Sequence, residues 1–468
     1  MQYSNIFHYI MLRFYVVEVA ISDLFLINPI KCIEDLVKWS YLIMKKYIII
    51  TADIHPIGGM QLYTVGKAEY LSDNGWKVWV LYSGSNKADC AIKSLNKYVD
   101  GAFNFLEIRP YLIPRLCVKK ALQHVVDLIE RENSDEIYIE SQADVQALWG
   151  ELLAKKINAK HICFSCNEQF RGLYKHYEDN IDFFWFKFQR RELLGIRTDS
   201  MKKLFEGYYN VPEGNEFVFD AVEADPIQNI HSTAVDEIRR LDYNIAYLGR
   251  VTKGYVPNIV LNVAQFAGIH LDKKIQFIIV GDATERRAFI DETLGRLENV
   301  KITYMGDMVP IPRAIYSKID VMIAGAACAE VSAREGVPTI VADCENYLAN
   351  GILGYTVNSS LQPDLSYGQH QFVDELNDVL ITKKYLKFPY SFPKPNPTDL
   401  IYRNHLQFYL KSEKKKKYYD VLNKKKIIKY QDKTIEKIYL YYKTCLYELV
   451  SLLKKYIRLN CRFKRKGL

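Results

Sequence analysis

Residues 244–254 read Asn-Ile-Ala-Tyr-Leu-Gly-Arg-Val-Thr-Lys-Gly, and their pattern decides the fold. Ile245 to Leu248 is an apolar run stopped by Gly249, and beyond Pro257 apolar residues recur at Ile259, Val260, Val263, Ala264 and Ala267, the spacing of one helix face. The stretch therefore predicts strand, turn, helix. A parallel strand delivers its turn to the crevice at the carboxyl edge of its sheet, and this turn holds Gly249, Gly254, Arg250 and Lys253. Glycine lets backbone approach an anion closely, Arg offers a fork of donors, and Lys supplies a point charge. The expected guest is a phosphate or diphosphate. The same residues also suit a solvated basic turn.

The alternation extends in both directions. Upstream, residues 47–51 form an apolar run, the following loop ends in Gly58 and Gly59, residues 60–71 have helical spacing, and residues 77–82 form a second run. This is a beta-alpha-beta unit with paired glycines at its first turn. The third glycine of G-x-G-x-x-G is missing, which disfavours a nicotinamide cofactor. Further strands are predicted at 105–108, 136–140 and 161–165, with helices at 119–132 and 143–154 between them. Downstream, runs at 275–280 and 299–305 end at Gly281-Asp282 and Gly306-Asp307, and runs at 320–324 and 339–342 follow. The expected class is α/β, with two Rossmann-like doubly wound parallel-sheet domains facing a cleft where a ligand sits. Residues 222–243 lack a strong period and mark the boundary, giving domains at 44–230 and 231–410.

A chain of 468 residues with 49% hydrophobic and 25% charged content suits two or three globular domains. Nine scattered cysteines argue for a reducing compartment rather than a disulfide framework. Cys163 and Cys166 form a lone C-x-x-C that no second pair completes as a zinc site. The net charge of +8 belongs to the tail: residues 411–468 carry 19 Lys or Arg against 5 Asp or Glu, so that segment stands at +14 and the rest at −6. Within it Ile435, Ile438, Tyr439, Tyr442, Leu446, Leu449, Leu453 and Tyr456 recur at helical spacing. Set among lysines, that face predicts a helix lying on an anionic membrane surface. A protein partner, the chain's own domains or nucleic acid are the alternatives, with nucleic acid ranked last. Residues 1–43 are apolar but interrupted by charges, matching neither a signal peptide nor a spanning helix. Met44 is expected to be the natural start, with residues 1–43 an extension.

Two carboxylates stand where strands are predicted to end, Glu140 and Glu168. There a carboxylate can orient or deprotonate a substrate hydroxyl, or answer the exposed amides of a following helix. His55 lies in the first loop near the same crevice. The aromatic run of residues 183–188 suits core packing better than a stacking surface for sugars, bases or lipid.

The order of these motifs resembles the glycosyltransferases of GT-B fold, and most of all the large retaining family 4 of polysaccharide assembly. It consists of Gly58-Gly59 after the first strand, Gly-Arg-x-x-Lys-Gly opening the second domain, Val-Gly-Asp after its next strand, then Asp320-Val-Met-Ile and Glu335-Gly-Val-Pro-Thr-Ile. The resemblance spans roughly residues 44–382 and is looser between 84 and 243. It implies a nucleotide-diphosphate sugar as donor and no metal or other cofactor. Gly58 and Gly59 would lie over the donor diphosphate, with Gly281 in the same crevice and Arg250 and Lys253 neutralising it. Asp307 and Met308 would hold the base through backbone groups, and Glu168 would lie near the reacting sugar.

One departure is chemical. The family usually carries two glutamates eight positions apart before its Gly-x-Pro turn, holding ribose and sugar. Alignment on Gly336-Val-Pro338 places Ile323 and Val331 there. Glu330 and Glu335 lie close by, with Glu330 the expected substitute. No Asp-x-Asp occurs, which argues against a metal-dependent alternative. The function these features imply is glycosyl transfer to a growing cell-surface glycan or lipid-linked acceptor, as in capsule or lipopolysaccharide synthesis, by a cytoplasmic protein held peripherally at the inner membrane face. The alternatives are a catalytically silent GT-B protein partnering another glycosyltransferase, and a nucleotide-sugar epimerase.

Overall fold

The computed structural model describes residues 45–423 apart from 56–57, 84–91, 103–107, 130–135, 143, 166–179, 196–197, 213–226, 393–397 and 412–417. The first sheet contains β1 (Lys45–Thr51), β2 (Lys77–Tyr82), β3 (Val99–Ala102), β4 (Glu136–Ser141), β5 (Lys160–Ser165) and β6 (Leu193–Gly195), in the order β3-β2-β1-β4-β5-β6. Every pairing in it is parallel. Its helices are α1 (Gly59–Asp73), α2 (Arg115–Leu128), α3 (Asp144–Ile157), α4 (Ile181–Gln189) and α5 (Thr198–Phe205). Both faces of β1 are covered: Ile48 and Ile50 belong to one apolar cluster, Tyr47 and Ile49 to the other. That is why parallel strands read as unbroken apolar runs.

The short pair β7 (Ile227–Gln228) and β11 (Ile311–Pro312) lies outside the second sheet. That sheet contains β8 (Tyr243–Leu248), β9 (Ile275–Val280), β10 (Val300–Gly306), β12 (Val321–Ala324), β13 (Thr339–Ala342) and β14 (Ala349–Ile352), in the order β10-β9-β8-β12-β13-β14. Only β14 is antiparallel. Helices α6 (Val256–Ile269), α7 (Arg287–Leu294), α8 (Ala326–Arg334) and α9 (Phe372–Asn377) accompany it. Asn244 aligns its first strand: the buried side chain donates to Arg239 O at 3.0 Å and Lys318 O at 2.7 Å, while its N–H donates to Asp320 at 2.8 Å. Each sheet reverses its order beside its first strand, between β1 and β4 and between β8 and β12, and these switch points open the crevices at the carboxyl edges.

The sequence does not predict β3, an edge strand of sequence Val-Asp-Gly-Ala with no apolar alternation, and of the strand expected at 105–108 residues 105–107 lie outside the described residues. One expectation changes. The helix Thr398–Lys411 (α10), assigned by sequence to the second domain of residues 231–410, packs on the first: Ile401, Tyr402, Phe408 and Tyr409 join the cluster of Tyr47 and Ile49. The start of the tail also docks there. Tyr419 N donates to Glu151 at 2.7 Å, Tyr418 Oη to Ala159 O at 3.0 Å, and Val421 is fully buried in the Ile48 cluster. The amphipathic pattern of 435–457, residues 1–43, Met44, Cys166 and Glu168 lie outside the described residues. The aromatic run is core as expected, with Phe183, Phe184 and Phe188 buried along α4. Cys163 is buried, and burial pushes its thiol well above the usual range. Among the described residues no helix is long and apolar enough to cross a membrane.

Candidate functional site

The carboxyl edge of the second sheet is built by glycine-ended strands. After β8 the chain turns at Gly249, at φ +140°, and its N–H donates to Val280 O at 3.0 Å. Gly281 follows β9 at φ +146°, and a Cβ there would lie 2.1 Å from Gly249 O, so only glycine lets these ends meet. Gly281 N donates to Gly306 O at 2.9 Å, and Asp282 N donates to the Asp307 carboxylate at 2.9 Å. The expected site residues Arg250, Lys253, Gly281, Asp307 and Met308 thus share one edge. The Tyr247 hydroxyl donates to Arg250 O at 2.9 Å, fixing the turn from below while the Arg250 side chain stands exposed. Lys253 is half-buried in the same turn. Asp307 is exposed, and Met308 packs on the underlying core.

The neighbouring strands complete the edge. Gly325 opens α8 without a side-chain cap, and Ala326 takes a left-handed φ of +53°. After β13, Asp343 begins a loop whose fifth residue, Tyr347, is left-handed at φ +63°. Its carbonyl accepts from Asn258 at 2.7 Å. A Cβ on Gly254 would lie 2.6–2.7 Å from the Tyr347 ring, so that ring rests against the basic turn. Beside it a pocket of about 160 Å³ is lined by Asp343, Cys344, Glu345, Asn346, Leu361, Gln362 and Pro363. Sequence reasoning missed Tyr347 and this pocket; the signal available was Asp343 directly after an apolar strand.

The two glutamates proposed near this edge separate. Glu330 lies midway along α8 and is half-buried, accepting from Ser360 Oγ at 2.7 Å and pairing with Arg334 at 3.2 Å. Ser360 O in turn accepts from Ala326 N at 3.0 Å, tying Glu330 to the opening of the helix. Glu335 follows α8 and pairs with Arg313 at 3.4 Å. A nine-residue helix running back from the carboxyl edge spans ~13 Å, which places Glu335 at the amino edge of the sheet, away from the crevice. Of the positions the resemblance assigns to carboxylates, Ile323 is fully buried in β12 and Val331 packs on the core.

In the first domain, Gly58 is the N-cap of α1 with extended backbone and no side-chain cap, so Gly59 opens that helix toward the first crevice. His55 N donates to Asp53 at 2.9 Å and Gln61 Nε2 to Asp53 O at 2.8 Å, shaping the loop before it. Glu140 corrects the sequence reading. Its carboxylate is fully buried and ion-paired with Lys67, and it accepts hydroxyls from Tyr47 at 2.6 Å, Tyr63 at 2.9 Å and Tyr409 at 2.6 Å. Burial alone would raise its pKa, but the Lys67 charge and these donors outweigh it and hold the group at about 2. A carboxylate so enclosed cannot meet a substrate hydroxyl; it fastens α10 to β4.

A second buried set imitates a hydrolase. Ser141 Oγ lies 3.0 Å from His161 Nε2, and Glu151 lies 2.8 Å from His161 Nδ1. All three are buried, Glu151 also pairs with Lys187 at 2.9 Å, and a Cβ on Gly150 would lie 2.2 Å from Ser141 Oγ. No acyl group can enter there. Burial, together with the Lys187 charge, pushes His161 down to about 4, so the neutral ring donates from Nδ1 to Glu151 and accepts from Ser141.

No family model matches the chain, and no curated protein matches it in sequence. Among solved structures, a glycosyltransferase from Rickettsia africae ESF-5 aligns with TM-score 0.53 and 15% identity over 79% of this chain and 100% of that one. A UDP-GlcNAc 2-epimerase from Neisseria meningitidis bound to UDP-GlcNAc aligns with TM-score 0.48 and 11% identity over 79% and 100%. A lipopolysaccharide outer core galactosyltransferase aligns with TM-score 0.45 and 15% identity over 81% and 96%. The two six-stranded sheets of matching strand order, together with the likeness to the Rickettsia protein, show that this chain has the GT-B fold.

Proposed function

We propose that this protein transfers a sugar from a nucleotide-diphosphate donor to a growing cell-surface glycan or lipid-linked acceptor. The observation that carries the reading is the glycine-lined edge of the second sheet, where the exposed Arg250 and the half-buried Lys253 share one turn beside Gly249, Gly281 and Gly306. As the sugar departs, negative charge builds on the leaving diphosphate, and cations and amides already in place stabilise that state more than the ground state. On this reading Arg250 and Lys253 replace the divalent ion that other transferases use. The uncapped start of α1 at Gly58 and Gly59 supplies further amides. Asp307 and Met308, in the turn after β10, are the residues assigned to hold the base through backbone groups, and Glu330, joined to the opening of α8 through Ser360, is the group assigned to the ribose. Retention at the anomeric carbon follows from the family 4 resemblance. The basic tail brings the enzyme to the anionic membrane face where lipid-linked acceptors lie.

A second reading has its own observation. Apolar Ile323 and Val331 occupy the positions of the glutamate pair, which suits a catalytically silent protein that partners an active transferase. The experiment incubates purified protein with a panel of nucleotide sugars and extracted lipid-linked glycans, with and without EDTA. Release of nucleoside diphosphate coupled to acceptor growth, undiminished by EDTA, supports transfer. A changed sugar without acceptor growth indicates an epimerase, and an inert but folded protein supports the silent reading.

A further inference from the structure

The pocket beside Tyr347 is separate from the basic turn and has its own chemistry. At about 160 Å³ it is smaller than the ~300–1,000 Å³ that encloses a drug-sized ligand, so it suits one ring of a larger molecule. Its walls are mostly hydroxyl-binding groups. Asp343 is nine-tenths buried, and its carboxylate accepts from Glu345 N at 2.7 Å, from Gln369 Nε2 and from Asn346 Nδ2 at 3.5 Å. Gln369 also reaches Asn350 at 2.7 Å and accepts from Asn346 at 2.9 Å. These contacts fix the carboxyl and amide groups before any ligand arrives. The Gln362 side-chain amide takes no partner among the described residues, although its backbone N–H is anchored to Ser359 Oγ at 3.0 Å. Leu361 and Pro363 supply apolar wall.

Tyr347 directly follows the pocket residue Asn346, and its ring rests against Gly254 of the basic turn. It is 45% exposed, and its backbone is held left-handed. A side chain at Gly254 would leave no room for the ring. An apolar ring face beside fixed carboxyl and amide groups matches a pyranose, which presents C–H faces and equatorial hydroxyls.

We propose that this pocket receives the neutral, hydroxyl-bearing sugar ring of the donor, with Tyr347 next to it against the diphosphate turn. The proposal rests on the nucleotide-sugar reading and names the sugar class within it. The exposed Glu345 carboxylate accepts hydroxyl hydrogens from a neutral hexose, and its charge together with that of the buried Asp343 repels a hexuronic acid, so the pocket selects by charge.

The test is saturation-transfer NMR on the full chain with methyl hexosides and their hexuronic acid counterparts, and separately with a nucleoside diphosphate that carries no sugar. Wild type, Gln362→Ala and Tyr347→Gly are compared, each with a thermal melt. Glycine keeps the left-handed backbone, so the Tyr347 variant is expected to fold. The expected result is a neutral hexoside signal, a hexuronide signal weaker by about tenfold, and a hexoside affinity reduced about fivefold in each folded variant. Diphosphate binding stays within twofold in the Gln362 variant, as roughly expected for a group outside its reach. Absence of a hexoside signal while diphosphate still binds overturns the sugar pocket and leaves the nucleotide reading standing. A hexoside signal unchanged in both variants, or equal for hexuronides, also overturns it. Hexoside binding without any diphosphate binding supports the pocket and contradicts the nucleotide reading.

Discussion

The two domains share one strand order and use their charges in opposite ways. In the first, Glu140 with Lys67 and Glu151 with Lys187 lie inside the core, each carboxylate surrounded by donors. In the second, Arg250 and Asp307 stand exposed at the strand ends, over turns fixed by glycine. A charge near a strand end therefore says little by itself. What separates fastening from binding is whether the group's bonding capacity is already filled from within the protein.

The largest predicted effect tests the fastening side. Glu140→Ala leaves Lys67 buried without its carboxylate and should lower unfolding stability by about 3–5 kcal/mol in chemical denaturation. If the change stays under ~1 kcal/mol, the buried pair does not hold α10 in place.

Acid should separate the domains next. Glu140 is depressed to about 2 in the folded chain, so its stabilisation is complete above the ordinary carboxylate range and is lost as pH falls through it toward 2. His161 is depressed to about 4, so the unfolded chain takes up a proton first as pH drops below the ordinary histidine range, and stability falls from there down to about 4. Hydrogen exchange at pH 7 and pH 4 should therefore show β4 and β5 losing protection before β8 and β9. The reverse order would contradict the contrast.

Much of the fold was legible because apolar runs bounded by glycine, proline or polar residues carry their own limits. Strands β2, β9 and β13 lie at 77–82, 275–280 and 339–342 as the sequence indicates. The edge strand β3 and the three-residue β6 were not, since pairing rather than pattern defines them. The return of α10 was hidden because its contacts join residues more than 240 positions apart. A trace of it was present: Lys67 falls on the buried side of an apolar helix, which demands a carboxylate, and Tyr402, His405 and Tyr409 share one helical face. In the candidate site the glycines and cations were readable, because close approach and charge are local properties. Glu140 misled, because in a sheet covered on both faces a strand-end carboxylate points into a core on either side.

Smaller effects belong to the second domain. Gly281→Ala meets both a left-handed φ and Gly249 O, and should cost about 2 kcal/mol of stability, read by thermal melt. Arg250→Ala should change stability by less than ~0.5 kcal/mol, the opposite of Glu140→Ala, because its effect falls on ligand binding.

The most direct measurement is titration calorimetry of the full chain against a panel of nucleoside diphosphates, with Arg250→Ala and Lys253→Ala alongside. One nucleotide should bind, and each folded variant should weaken it by roughly tenfold or more, the range of a lost charge-assisted hydrogen bond. Binding that both substitutions leave unchanged, or no binding by a folded wild type, would contradict a donor site at the carboxyl edge of the second sheet.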